Sequence, residues 1–229
     1  MNPELKSRSV GAVIPAFQAS ASLPAVLNGL LRLLPPDRIL IVDDGSTDGT
    51  LEAAAASGVI CLRHESNRGK GSALASGLLH ARVLGWDWAV TLDADGQHAT
   101  EDVEKLLAVN PGERTGIVVG SRPRAGTAMP WHRRFSNAFS TWIVSRLARG
   151  PVFDAQCGFR AYRLDILDAL PREGRFEWEA QALILCRRGG MEVETIPIRS
   201  VYAGQGSHIR LGRDTWRFLR MAGRLAWTR

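Results

Sequence analysis

An α/β fold, with a mostly parallel sheet and helices on both faces, is what this sequence predicts. Two features carry the prediction. Apolar strand-like segments alternate with amphipathic helical ones through the first 120 residues, joined by short connections. The strand-like segments also run out into polar, glycine-rich turns, and open parallel sheets bind their ligands beyond that end of the strands.

Taken in order, SVGAVIPAF reads as a buried strand, and SLPAVLNGLLRLL as a helix opened by an N-cap serine, Ser22, and stopped at Pro35-Pro36. RILIVDD is the second strand, TDGTLEAAAAS the second helix and GVICLRH the third strand. NRGKGSALASGLLHARVLG opens the third helix, and WDWAVTLD is a strand ending in acid. A helix begins near Thr100, and TGIVVGSR is a further strand. Beyond residue 122 come an arginine-rich linker, a helix WHRRFSNAFSTWIVSRLARG, a stretch DAQCGFRAYR, a helix FEWEAQALILCRR, a strand MEVETIPIRSV and a final helix. No repeat or low-complexity segment interrupts this order, and the expectation is one domain over 1–229. Its parts would be a ligand-binding half (1–120), an elaboration (121–210) and a basic amphipathic helix (211–229).

Net charge is +6, but residues 1–120 carry −4 and residues 121–229 carry +10. Of the 29 basic residues only Lys6, Lys70 and Lys105 are lysine; the rest are arginines, whose planar forks suit phosphate. A basic half fits nucleic acid, an anionic membrane or a phosphorylated substrate. The three cysteines, Cys61, Cys157 and Cys186, are widely spaced and lack any CxxC or CxxH pairing, so they read as buried thiols rather than disulfides or zinc ligands. No apolar run reaches the roughly 18 residues of a membrane span, and MNPELKSRSV has no signal-peptide core, which points to the cytoplasm.

AVTLDADGQH carries the most specific chemistry. Asp93 and Asp95, one residue apart at a strand end, are expected to face one point just past it, because alternate side chains on an extended backbone point the same way. Gln97 and His98 follow directly. Such a pair suits Mg²⁺ or Mn²⁺ held jointly with substrate phosphates; the other reading is a polar loop whose aspartates cap the next helix. IVDDGSTDGT sets Asp43 and Asp44 at another strand exit, where carboxylates can accept from ribose hydroxyls or base N–H groups. A turn and N-cap explain Ser46, Thr47 and Asp48 equally well. Lys70, flanked by glycines at a helix start, is placed to steady a phosphate, although the spacing is not that of a Walker A loop.

In this order VIPAFQ, IVDDGSTDGT, NRGKGSALASG, LDADGQH, VGSR and DAQCGFRAYR resemble the family 2 glycosyltransferases of GT-A, Rossmann-like fold, most closely the polyprenyl- and dolichyl-phosphate hexose synthases. The resemblance spans roughly residues 9–210. It implies an inverting transfer of a hexose from a UDP- or GDP-sugar to a polyprenyl phosphate or another membrane glycolipid acceptor, with Mg²⁺ or Mn²⁺ at Asp93, Asp95 and Gln97. Pro15, Ala16 and Phe17, with Asp43, Asp44, Lys70 and Ala94, would line the nucleotide sugar, and Ser207 and His208 would touch its phosphates. Arg122, Arg133 and Asn137 would grip the acceptor phosphate; Asp154 and Glu179 match the acidic positions of the acceptor half. If the acceptor were a hydroxyl, Asp154 would be the base, with Glu179 second. Ala19 departs from the family pattern, which places glutamate there, and removes one expected nucleoside contact. For the later residues structural roles stay open: Asp154 capping a turn, His208 a surface histidine, the GFRAYR arginines solvated strand charges. A non-catalytic nucleotide-sugar or membrane-binding subunit is the alternative from another class.

Independently of the resemblance, Arg213, Arg217, Arg220 and Arg224 fall within an arc of roughly 40–60° on a helix, beside a broad apolar side with Trp216 and Trp227 near its edge. Residues 131–149 repeat the theme with Trp131, Phe135, Phe139, Trp142, Ile143 and Leu147. Arginine and tryptophan on an amphipathic helix read as an element lying on an anionic membrane surface, so the protein would sit at the inner face of the membrane, with or without a membrane protein partner. The alternative is that both apolar sides pack on the sheet and the arginines are solvated. Nucleic acid is disfavoured, because the basic face lacks interleaved aromatics and the paired aspartates would go unexplained.

Overall fold

The computed structural model describes residues 9–96, 100–108, 111–121, 131–198 and 211–227. Seven strands, β1 (Val10–Ala16), β2 (Ile39–Asp43), β3 (Ile60–Arg63), β4 (Trp88–Thr91), β5 (Thr115–Ser121), β6 (Arg160–Arg163) and β7 (Glu192–Pro197), form one sheet in the order β3-β2-β1-β4-β6-β5-β7. The helices are α1 (Leu23–Leu30), α2 (Thr50–Ala56), α3 (Lys70–Val83), α4 (Thr100–Ala108), α5 (Trp131–Leu147), α6 (Glu177–Arg188) and α7 (Leu211–Trp227).

The chain steps from β1 to β2 to β3 in one direction along the sheet, then crosses back to β4 on the far side of β1. Right-handed crossovers therefore put α1 and α2 on one face and α3 on the other. The reversal between β1 and β4 opens a crevice at their C-terminal ends, where open sheets take ligands. β1, β2 and β4 are buried almost throughout, which is why their sequences are apolar runs.

β6 lies within the DAQCGFRAYR stretch. It is four residues long, two of them arginine, and it runs antiparallel between β4 and β5. Insertion there carries the preceding DAQCG turn to the end of β4. Two local expectations also change. Ser22 does not cap α1; its backbone is already helical and its hydroxyl donates instead to the Ala94 carbonyl at 2.6 Å. Cys61 is exposed, unlike Cys157 and Cys186, because β3 is the edge strand and alternates open and covered positions.

α3 is covered on most of its circumference, which small residues make possible. A Cβ on Gly77 would lie 2.5 Å from Val13 Cγ1 and 2.8 Å from Val42 Cγ2, so the helix touches the sheet there with no room to spare. Alanine gains about 1 kcal/mol of helix propensity over glycine, but overpacking costs about 1–3 kcal/mol. Gly77→Ala is expected to lower the denaturation midpoint; a raised midpoint would show that the contact relaxes freely.

Candidate active site

The exit loops of β1 and β2 are stitched to each other. Gln18 at φ +51 accepts from Thr47 N through Oε1 at 2.9 Å, and its own N–H donates to Ser46 Oγ at 3.0 Å. Ala19 N donates to Thr50 Oγ1 at 2.8 Å. Pro15 and Ala16 end the strand, Ala16 O accepts from Asp44 N, and Phe17 projects its ring half-exposed at the crevice rim.

Asp43 and Asp44 have different work. Asp43 Oδ1 accepts from Ser46 N at 3.0 Å, while its buried Oδ2 has no hydrogen-bond partner among the described residues, Arg63 Nε lying 3.6 Å away. Asp44 accepts from Arg68 N (3.0 Å), Gly69 N (2.7 Å) and His64 Nδ1 (2.7 Å). Those bonds fold the NRGKG loop and fix the start of α3. His64, whose Nε2 is 3.0 Å from Ser76 Oγ, was missed by sequence reasoning; a histidine closing an apolar strand beside an acidic strand exit is the only signal it gives.

Lys70 is the first residue of α3, and its ammonium lies between two carboxylates, 2.8 Å from Asp93 Oδ1 and 2.9 Å from Glu179 Oε2. Burial alone would lower its pKa; Asp93 and then Glu179 outweigh burial and hold it above the ordinary lysine range. The cluster joins residues 109 positions apart in sequence, Lys70 and Glu179, and sits against Gly158. A Cβ on Gly158 would come 2.8 Å from Lys70 Nζ and 3.1 Å from Asp93 Oδ2, so the glycine of the DAQCG turn is what lets that turn close on the pair. The other oxygen of Glu179, Oε1, is buried with no hydrogen-bond partner among the described residues.

β4 ends at Thr91, and residues 94–96 turn, with Gly96 at φ +73. Asp93 and Asp95 thus leave strand geometry, yet both keep partial exposure while Ala94 between them is buried under Ser22. Two partly exposed carboxylates supply hard oxygen donors, and no group of three metal-binding side chains forms among the described residues. That donor set fits a divalent ion that takes its remaining ligands from substrate phosphate and water.

A second group lies against the middle of α5. Asp154, buried, accepts from Asn137 Nδ2 and Gln156 N, both at 3.2 Å, and Asn137 Oδ1 accepts from Thr141 Oγ1 at 3.3 Å. Asp154 therefore does order a turn. The first GFRAYR arginine, Arg160, is fully buried rather than solvated. Gln97, Arg122, Ser207 and His208 lie outside the described residues; Arg133 falls in the first turn of α5.

Solved structures share this architecture. Glucosyl-3-phosphoglycerate synthase from Mycobacterium tuberculosis, crystallised with Mn²⁺, uridine diphosphate and phosphoglyceric acid, superposes with a TM-score of 0.78 at 21% identity, covering 97% of this chain and 80% of that one. The fold is that of the GT-A glycosyltransferases. Residues 12–170 match the pattern of glycosyl transferase family 2, and the chain belongs to that family. It is 33% identical over 227 residues to the UDP-N-acetylglucosamine--dolichyl-phosphate N-acetylglucosaminyltransferase of Methanococcus voltae, covering 87% of this chain and 90% of that one. It is 31% identical over 204 residues to the undecaprenyl-phosphate mannosyltransferase of Micrococcus luteus, covering 82% of each.

Lys70→Met leaves Asp93 and Glu179 without their shared cation and is expected to cost about 3 kcal/mol of stability. A raised lysine pKa contributes fully below the ordinary value of 10.5 and is lost only as pH rises through the folded value. The difference in denaturation midpoint between wild type and variant should accordingly stay level from neutral pH to about pH 10. A difference below about 1 kcal/mol would mean the pair is solvent-screened.

Proposed function

We propose that this glycosyltransferase moves a hexose from a UDP- or GDP-sugar to a polyprenyl phosphate at the surface of an anionic membrane. The observation that carries this reading is the Lys70 bridge, which joins the acid of the D-x-D strand exit to the acid at the start of α6. Donor-side and acceptor-side groups thereby meet at one cation. The relatives named for dolichyl phosphate and undecaprenyl phosphate support the acceptor class, and the family resemblance supports inversion at the anomeric carbon.

In this reading Asp93 and Asp95, with Gln97, hold Mg²⁺ or Mn²⁺, which when bound neutralises charge on the departing nucleoside diphosphate. Pro15, Ala16 and Phe17 line the nucleoside with Asp43, Asp44 orders the loop beside them, and Ser207 and His208 approach the diphosphate. Lys70 holds the Glu179 carboxylate through Oε2, and Oε1 of Glu179, without a hydrogen-bond partner among the described residues, accepts a hydroxyl of the transferred sugar. A phosphate monoester, with its second pKa about 6, is already largely a dianion at neutral pH. It needs no base, so Arg122, Arg133 and Asn137 serve by holding it in line with the anomeric carbon. A hydroxyl acceptor would instead require a carboxylate to take its proton, the role open to Asp154.

The membrane part rests on two helix faces. On α5 the inward side is Thr141, Val144 and Ala148, and roughly opposite it run Phe135, Phe139 and Trp142. On α7 Met221, Ala222 and Leu225 are buried, and roughly opposite lie Trp216 and Trp227 with Leu219 and the arginines beside them. Phe135 is 71% exposed, Trp142 61%, Trp216 65% and Trp227 91%, so core packing does not account for them. Arg188 ties the two helices at their C-terminal ends, donating to Leu147 O (2.9 Å) and Leu225 O (2.8 Å). One side of each helix packs inward, and the outer side presents aromatics and arginine. That combination suits the interface of an anionic bilayer. No helix among the described residues is long and apolar enough to cross a membrane.

Two tests follow. With labelled donor, Mn²⁺ or Mg²⁺ and a short polyprenyl phosphate, label should enter the organic phase; Arg122→Ala and Arg133→Ala should each reduce this by about 100-fold or more while Asp154→Asn retains a measurable part. Complete loss in Asp154→Asn with tolerant arginines moves the acceptor to a hydroxyl. In sedimentation with vesicles, wild type should bind those containing about 30% phosphatidylglycerol, less tightly as salt rises. The double change Phe139→Ser, Trp142→Ser should weaken that binding about tenfold; equal binding by wild type and variant removes α5 from the membrane contact.

A further inference from the structure

Arg160 has no exposed surface, although it lies in the middle of the sheet on β6. Its guanidinium donates to four oxygens. Nε reaches Cys157 O at 2.7 Å, Nη2 reaches Ala155 O at 3.0 Å, and Nη1 reaches both Glu179 O at 2.6 Å and Tyr162 Oη at 3.3 Å. None of these partners is a carboxylate. Burying a cation is costly even when it is fully hydrogen-bonded, and an apolar side chain of similar volume would fill such a site with less penalty. Packing alone does not call for arginine here.

The partners explain the choice. Ala155 and Cys157 belong to the turn that runs from Asp154 to Gly158, and Glu179 belongs to the first turn of α6. One planar fork thus ties the backbone that carries Asp154 to the backbone that carries Glu179. The same turn is pinned from the other side, since Thr91 Oγ1 donates to Gly158 O at 3.2 Å and Ala155 N donates to Thr141 Oγ1 at 3.2 Å. Gly158 then sets the turn against Lys70 and Asp93. Arg160 touches no position where substrate would lie, yet it is the element common to both acidic groups. Lysine cannot replace it, because an ammonium is a point donor and does not span carbonyls from two chain segments in a fixed plane. The charge is secure: burial lowers the pKa of Arg160, but Tyr162 and Glu179 nearby raise it above the ordinary arginine value.

We propose that Arg160 is a positioning residue for glycosyl transfer, fixing through backbone carbonyls alone the separation between Asp154 and Glu179 across the cleft. The proposal rests on the reading of those two acids as groups of the reacting site. It assigns Arg160 to turnover and leaves nucleotide affinity to the exits of β1, β2 and β4, none of whose loop residues accepts a hydrogen bond from its guanidinium.

Arg160→Lys and Arg160→Met test this, each compared with wild type in three measurements. These are nucleotide diphosphate binding by calorimetry with Mn²⁺, kcat and KM for transfer together with donor hydrolysis by water, and amide exchange along the chain. The expected result for Arg160→Lys is a kcat lower by about 30-fold or more with nucleotide Kd within about threefold of wild type. Exchange should quicken at residues 155–158 and 178–181 ahead of the rest of the sheet. A folded variant whose kcat stays within about threefold of wild type overturns the proposal, as does nucleotide affinity that falls in step with kcat. Failure of both variants to fold makes Arg160 a folding element only and overturns it as well. Wild type that hydrolyses donor without transferring to polyprenyl phosphate defeats the acceptor assignment, while the hydrolysis rates of the variants still judge Arg160.

Discussion

The ammonium of Lys70 between Asp93 and Glu179 is the interaction on which the rest of the site depends. Two carboxylates brought together at the bottom of a cleft repel each other and lose hydration, and neither penalty is tolerable without a cation between them. Everything near that point serves the meeting. Asp44 spends its oxygens on the loop that presents Lys70, His64 holds Asp44, and Gly158 leaves out a side chain so that the DAQCG turn can close. The result is that the acid after β4 and the acid in the first turn of α6 share one charge centre rather than lying as separate patches.

Topology decides which residues can share it. Parallel strands β1 to β4 deliver their exits, with the acidic pairs of β2 and β4, to one edge by the ordinary logic of a doubly wound sheet. The antiparallel β6, slotted between β4 and β5, then brings a turn from the second half of the chain to the same edge. Arg160, the first residue of that strand, is held from both sides by backbone pairing with Thr91 and Val119, so its guanidinium works from a rigid base. A fixed cation on a central strand can hold geometry that a loop residue could not.

The helices of the second half meet a different constraint. α5, α6 and α7 must cover the sheet, and Val144, Ile184, Met221 and Leu225 do so. The aromatics on the outer sides of α5 and α7 are left exposed among the described residues. Arg188 holds the two helices together at one end by satisfying carbonyls that the helix termini leave open.

Much of this was legible in the chain. The alternation of β1 to β5 with their helices, the acidic pair after each of β2 and β4, and the amphipathic arc of α7 all follow from local pattern, because apolar period and turn chemistry are properties of neighbouring residues. The place of β6 was not, since nothing local in four residues with two arginines says that they slot antiparallel between β4 and β5. The same reason hid Arg160, which reads as a surface charge until its carbonyl partners are in place, and Ser22, whose hydroxyl turns from the helix end to Ala94. By itself the sequence determined the α/β framework and which acidic residues stand at strand ends. Tertiary structure alone decided that Lys70, Asp93 and Glu179 share one point, because that meeting depends on long-range strand order and on close backbone approach, neither of which local spacing encodes.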